Sequence, residues 1–354
     1  MLDVIVVGGG PAGLSAAIHA RQCGLAVCVY EPKATPIDKA CGEGLMPPAL
    51  LALAKMGVER PHGIHFKGIR YIDGPMHADG HFSAGSGLGV RRTELHRVLS
   101  KRIDELDIEV RAETVQEWTQ DDDGVSVNGV RAKWLIAADG LHSRIREKLG
   151  VGLPARHPAR LGIRRHFAQA PWSPYVEVYW SPHAEAYVTP VSDDQVGVAI
   201  LYNKESPPPT DGDPWHRWIS AFPELAQRLR DPIAGTRGAG PFEQRTRSPI
   251  VGRVLLVGDA AGYLDPLTGE GIRLGFDTAA AAIACIINGT PQQYAVEYRR
   301  VTRPYWVMTA GLLFIRRNRL IRKHLVSILK QWPKLFRWVL DALNHSGSSA
   351  TLNT

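Results

Sequence analysis

Gly8-Gly9-Gly10-Pro11-Ala12-Gly13 decides how the rest of this 354-residue chain is read. Glycines spaced G-x-G-x-x-G mean little without context. Here a β-branched apolar run at residues 3–7 precedes them and helix formers fill 14–23. Gly24 fits a C-cap, and a second buried strand at 26–30 closes on Glu31. In that setting each glycine has a task. The first permits the tight turn, the second lets backbone amides approach a pyrophosphate, and the third lets helix and strand pack closely. The helix N-terminus then faces the phosphates, whose charge its dipole favours. Gly8, Gly10, Pro11, Ala12 and Gly13 are therefore expected to cradle a dinucleotide, and Glu31 to accept hydrogen bonds from a ribose diol.

Two further stretches have the same character. Gly258-Asp259-Ala260-Ala261-Gly262 follows a buried strand at 253–257, and 265–271 (Asp-Pro-Leu-Thr-Gly-Glu-Gly) leads into an alanine-rich helix at 272–288. Asp259 is placed to bind a ribityl hydroxyl, while the amides of Gly271 and Ile272 face an electron-rich ring edge. The third stretch, 137–146, runs from a short buried strand through Asp139-Gly140 to Ser143 and Arg146. Between them, residues 92–106 place Leu95, Val98, Leu99, Ile103 and Leu106 on one helical stripe. Strands are expected at 108–110 and 124–130. After about Pro154 the pattern changes to period two, over 160–167, 175–180, 184–191 and 195–202. That predicts a half-buried antiparallel sheet, followed by a proline-rich turn at 206–209 and one helix over 215–230.

At these residues the chain resembles the flavoprotein monooxygenase superfamily of the para-hydroxybenzoate hydroxylase type. The resemblance rests on the fingerprint, the DGxxSxxR stretch at 139–146, the GDAAGxxxPxxGxG stretch at 258–271, and Arg92 in Arg-x-x-Leu-x-x-x-Leu. Cys41-Gly42-Glu43-Gly44 and the form of the 258–272 stretch look closer to the geranylgeranyl-reductase-like branch. The resemblance implies an α/β fold: a Rossmann-like FAD-binding domain of the glutathione-reductase flavin type, an antiparallel substrate sheet and a C-terminal helical segment. Residues 1–68, 87–158 and 246–298 would form the discontinuous FAD domain, 69–86 and 159–245 the substrate domain, and 299–345 the basic amphipathic helices. Arg92, Val115, Asp139, Gly258, Asp259, Pro266, Gly269, Gly271 and Ile272 join the expected FAD contacts. NAD(P)H would visit as a transient reductant, since no second fingerprint is present. The Trp-x-Trp-x-Ile-Pro signature of tryptophan halogenases is absent.

For such a protein the flavin carries the hard chemistry. A C4a-hydroperoxide formed with oxygen would hydroxylate a hydrophobic phenolic or polyketide-like molecule only if shielded from solvent. Saturation of prenyl double bonds is the alternative, and a non-catalytic FAD-binding assembly protein a third reading. Glu43 and Cys41, in a glycine-bracketed loop, are the candidates for a catalytic role. Tyr179 and Tyr187 are candidate substrate contacts. His166 and His142 are weaker proton-shuttle candidates.

Composition narrows the class further. The four cysteines show no CxxC pair and no metal-ligand spacing, which fits a reducing compartment and predicts no metal site. The chain opens directly on a strand and lacks about 18 uninterrupted apolar residues, so neither a signal peptide nor a membrane span is expected. The net charge of +7 is local: residues 298–340 hold eleven Lys or Arg and no acid, leaving the rest at −4. Over 312–332 an apolar stripe from Leu313 to Trp332 accompanies this charge. A cytosolic protein with peripheral membrane contact through 299–340 is expected, and nucleic acid is disfavoured because no recognition module accompanies the charge.

Overall fold

The computed structural model describes residues 1–83, 85–205, 212–233 and 235–345; the turn expected at 206–209 lies outside them. The fingerprint strand Leu2–Val7 is central in a parallel sheet. Val27–Tyr30 and then Glu109–Arg111 lie on one side, with Val130–Ala137 and then Val254–Leu256 on the other. The β-branched and aliphatic runs of Leu2–Val7, Val27–Tyr30 and Val254–Leu256 are buried on both faces, as parallel strands require, while the edge strand Glu109–Arg111 is largely exposed. Helices Pro11–Gln22, Arg92–Glu105 and Gly271–Ile287 cover one face, packing Leu14, Ile18, Val98, Leu99 and Phe276 against Val4, Val6 and Val29. Each such side chain contributes about 1.5–3 kcal/mol when withdrawn from water. The opposite face packs under Trp118, Val125 and Ile145.

A seven-stranded sheet forms the second layer, ordered Arg237–Ala239, Arg160–Phe167, Gln195–Asn203, Ala184–Ser192, Val176–Trp180, Gly68–Asp73 and Met76–His81. Pairing is antiparallel except between Val176–Trp180 and Gly68–Asp73. This sheet is not half-buried. Val176–Trp180 is buried at every position because both faces are covered. On one face lie two short helices, Pro214–Ile219 and Pro223–Arg228, through Trp215, Trp218, Phe222 and Leu225. The single helix expected over 215–230 is split because Pro223 removes an amide and starts a new helix.

The C-terminal segment forms three helices, Tyr294–Arg317, Arg319–Gln331 and Pro333–His345. The stripe expected to be continuous over 312–332 breaks at Asn318, whose Oδ1 accepts from Leu320 N and Ile321 N and starts the next helix. Leu325, Val326, Leu329, Phe336 and Leu340 pack on Ile69, Tyr71, Ala78, Val176 and Val178. Gly80 makes this approach possible, since a Cβ there would lie 2.7 Å from Leu340 and 2.9 Å from Phe336. Among the described residues no helix is long and apolar enough to cross a membrane.

Candidate functional site

The glycine turn is built by close backbone approach. Gly8 has φ of +107°, and a Cβ on it would sit 2.4 Å from the Ala138 carbonyl oxygen. A Cβ on Gly13 would meet the Gly8 oxygen at 1.8 Å. Gly10 differs: no atom lies within 4 Å of its Cβ position, which opens into free space. Gly10 also caps helix Pro11–Gln22 with no side-chain acceptor and no acid in the first turn. The amides of Ala12 and Gly13 therefore face an open anion site. From below, His96 Nε2 donates to the Gly9 carbonyl (2.9 Å) and Glu31 Oε2 accepts from Gly9 N (2.9 Å). Glu31 thus ends its strand against the turn, with Oε1 accepting from Lys33 N at 3.0 Å.

Ala12 joins this turn to the 258 stretch: Cβ positions on Gly258 and Gly275 fall 2.8 and 3.1 Å from the Ala12 methyl. Asp259 follows. Its side chain is half-buried, and desolvation pushes its pKa to about 6 against the opposing pull of Lys39, Arg92 and Arg146. Arg146 donates to the carbonyls of Asp259, Ala260 and Leu141, so it holds the 258–260 and 139–146 segments together. Asp139 Oδ2 accepts from Ile145 N (3.2 Å), while its Oδ1 is buried without a partner. Arg92 is buried too, and its Nη1 is unpaired. Unsatisfied charged atoms inside a fold are rare, and here two of them border one open cradle. Opposite lies Asp265, then the turn Pro266–Thr268, left-handed Gly269 at φ +71°, and helix Gly271–Ile287. That helix begins without a side-chain cap, leaving the Gly271 and Ile272 amides available. Val115 lies farther out, part-buried beside the core under Trp118.

The second sheet closes over this chamber with one face. Successive side chains alternate, so Arg160, Arg164 and His166 share a face with Glu185, Tyr187 and Thr189 on neighbouring strands. This face meets the loop 38–44. Thr189 Oγ1 donates to the Gly42 carbonyl (2.8 Å), and Arg164 Nη2 donates to Asp38 and to the Lys39 carbonyl. His166 Nε2 contacts Glu43 Oε2 at 2.6 Å with both side chains buried, while Arg164 Nη1 reaches His166 Nδ1 at 2.9 Å. Arginine only donates, so Nδ1 carries the lone pair and Nε2–H points at Glu43. His166 is thereby held at both ring nitrogens inside a buried cluster. Glu43, in the left-handed region at φ 59°, also accepts from Arg92 N at 2.9 Å. The Glu43 side chain is buried rather than solvated. Cys41 belongs to the same cluster, its Sγ accepting from Glu43 N (3.3 Å), and its thiol pKa is raised by burial and by Glu43.

The two tyrosines part company. Tyr187 shares the chamber face and its hydroxyl approaches the Leu267 carbonyl (3.5 Å). Tyr179 lies on the opposite face with the Trp215–Trp218 cluster, donating to Glu177 at 2.8 Å. Its expected contact with substrate is corrected: period two identifies alternation but not which face is the roof. His142 is exposed and outside the bonded cluster. Sequence reasoning missed His96, Lys39 and Arg164, and had Arg146 only as the last residue of the DGxxSxxR stretch. Only His96 left a signal, one helical turn after Arg92 on the same face.

A second buried network anchors the C-terminal helices to the chamber. Asp265 accepts from Arg160 (2.7 Å), Arg160 donates to Glu185 (3.0 Å), and Glu185 contacts Arg316 of helix Tyr294–Arg317. Tyr305 Oη accepts from Leu264 N and Asp265 N (3.1 and 2.9 Å) and donates to the Asp265 carbonyl.

These features fit FAD: two uncapped helix starts, open space at Gly10, and unpaired Asp139 and Arg92 atoms between them. A family model described as "FAD binding domain" matches residues 1–296. Menaquinone reductase of Mycolicibacterium smegmatis is 28% identical over 327 residues, covering 83% of this chain and 78% of that protein. Para-nitrophenol 4-monooxygenase of a Pseudomonas species is 27% identical over 348 residues, covering 88% and 86%. The crystal structure of p-nitrophenol 4-monooxygenase PnpA from Pseudomonas putida superposes with a TM-score of 0.80 at 21% identity, covering 99% of both chains.

Proposed function

Because the chain belongs to the FAD binding domain family, within the flavoprotein monooxygenase superfamily of the para-hydroxybenzoate hydroxylase type, we propose that it hydroxylates a hydrophobic phenolic or polyketide-like molecule using NAD(P)H. Bound FAD supplies the redox and oxygen chemistry. The chain's own residues do the rest. The Ala12 and Gly13 amides hold the diphosphate, Glu31 the adenosine ribose, and Asp259 and Asp139 polar groups along the cofactor. Arg92 supplies positive charge, and the Gly271 and Ile272 amides face the ring.

What carries this reading is the roof. Arg164, His166 and Thr189 tie the second sheet to the loop 38–44 through buried hydrogen bonds, closing that side of the chamber to water. Water exclusion is what oxygen transfer from a flavin needs, because it protects the reactive species from hydrolysis and proton leakage. Glu43 acts here as a positioning residue, holding the loop through His166 and Arg92. Tyr187 is the aromatic side chain offered to substrate. The test is oxygen uptake and NAD(P)H oxidation with a panel of alkylated and polycyclic phenols. Coupled consumption with some of them supports the reading; no stimulation by any phenol removes it.

A second reading is reduction of a prenylated ring or its double bonds, in line with the geranylgeranyl-reductase-like form of residues 41–44. Its support is the M. smegmatis relative named menaquinone reductase and the apolar C-terminal helices beside the roof. Anaerobic turnover of a prenylated quinone would select it. Peripheral membrane contact through 299–340 suits a hydrophobic substrate under either chemistry.

A further inference from the structure

A helix docked on a protein body needs one apolar face. The last two helices have two. Their inner face is fully employed: Leu325, Val326, Leu329, Phe336 and Leu340 are buried on the second sheet, and Asp341 anchors the last helix to Ser83 N (3.2 Å) and Ser83 Oγ. The outer face carries Ile328, Trp332, Leu335 and Trp338, and both tryptophans are exposed, at 65% and 63%. Trp332 sits at the junction with φ −124° and ψ 64°, its N closing one helix on Ile328 O and its O accepting from Leu335 N to open the next (both 2.9 Å). Spacings of four and three residues place Ile328 with Trp332 on one side of the first helix end, and Leu335 with Trp338 on one side of the last helix. Exposed Lys330, Lys334 and Arg337 flank them.

From this outer face we propose that the protein docks on an anionic lipid bilayer, with Trp332 and Trp338 seated at the headgroup level and Lys330, Lys334 and Arg337 against lipid phosphates. Charge selects the occupant. No acid interrupts residues 298–340, whereas the remainder of the chain is net −4, so an anionic surface attracts this face and repels the body. A second copy related by a two-fold axis would bring the same three cations against themselves. Tryptophan is suited to an interface that is apolar on one side and wet on the other. These helices lie on the chamber face of the second sheet, and the preceding helix Tyr294–Arg317 is joined to Asp265 through Arg316, Glu185 and Arg160. Docking there places the substrate side of the enzyme toward the membrane. This inference is independent of which reaction the flavin performs.

The test is sedimentation of the full FAD-loaded protein with vesicles of phosphatidylcholine alone, or with roughly one-third phosphatidylglycerol, at low and high salt. Expected is binding to the anionic vesicles that weakens with salt but does not vanish. A variant combining K330Q, K334Q and R337Q should lose about fivefold per charge, up to roughly a hundredfold. W332S with W338S should lose the salt-resistant remainder while keeping its flavin content and NAD(P)H oxidation, since neither residue touches the chamber. Failure to bind anionic vesicles, or triple-Gln binding equal to the parent, overturns the proposal. So does concentration-dependent self-association that W332S and W338S abolish, which would put a second copy on this face.

Discussion

Replacing Gly10 by alanine separates folding from cofactor binding. Gly10 has φ −73° and ψ 177°, extended backbone that any residue adopts, and nothing lies within 4 Å of the added methyl. Alanine is a poorer N-cap than glycine, by somewhat less than about 1 kcal/mol, and its smaller unfolded-state entropy returns about 0.4–1 kcal/mol. The two nearly cancel, so the melting temperature of the flavin-free protein should move by no more than a few degrees. The methyl instead fills the space in front of the Ala12 and Gly13 amides. Losing one or two charge-assisted hydrogen bonds to the diphosphate, at about 1.5–3 kcal/mol each, weakens FAD roughly tenfold to more than a hundredfold. Thermal denaturation of the apo-protein and fluorescence titration with FAD read the two effects. The companion G13A, whose Cβ would lie 1.8 Å from the Gly8 oxygen, should damage the fold itself. Unchanged FAD affinity in a well-folded G10A protein would refute the placement of the diphosphate.

Asp259 should show opposite effects on stability and binding. Burial raises its pKa to about 6 from 3.8, so the folded apo-protein binds more protons than the unfolded chain between those values, and stability falls as pH rises through that window. Asp259→Asn should therefore gain apo stability relative to the parent at pH 7 and lose the gain near pH 4, while weakening FAD; melting curves across pH with FAD titrations check both. Glu185→Gln strips the shared partner from buried Arg160 and Arg316 and should cost about 3–5 kcal/mol in denaturant unfolding. Glu43→Gln gives His166 Nε2–H and the Arg92 amide a weaker acceptor; substrate-coupled turnover should fall more than FAD affinity, and the fraction of reduced flavin lost as hydrogen peroxide should rise. Equal coupling in parent and variant would remove Glu43 from the roof's function.

The first layer of the fold was legible because its signals are local. Residues 3–31 contain strand, turn, helix and strand in one run, and Gly13 is demanded by its close approach to Gly8 within that run, while Gly8 itself is demanded by the backbone of distant Ala138. The second sheet was legible as alternation, but its faces were not. Nothing within 175–180 or 184–191 says that Tyr179 joins the Trp215–Trp218 cluster while Tyr187 faces Leu267, since both neighbours come from distant segments. Glu43 drew attention through its glycine-bracketed loop, yet its partner His166 lies 123 residues away, and Arg164 and Asp38 are 126 apart. Such pairs exist only once two sheets meet. The chain's tail combined both cases: its amphipathic character was plain and the break at Asn318 is a local cap, but the division into an inner and an outer apolar face depends on docking against Gly80.

The most direct test of oxygen transfer at this site is turnover of an accepted phenol with NAD(P)H under isotopically labelled oxygen gas, followed by mass spectrometry of the product. One labelled oxygen atom per product, formed at the rate of NAD(P)H oxidation and abolished without oxygen, is the expected result. Anaerobic turnover that reduces a prenylated quinone, with no label entering any phenol, would contradict it.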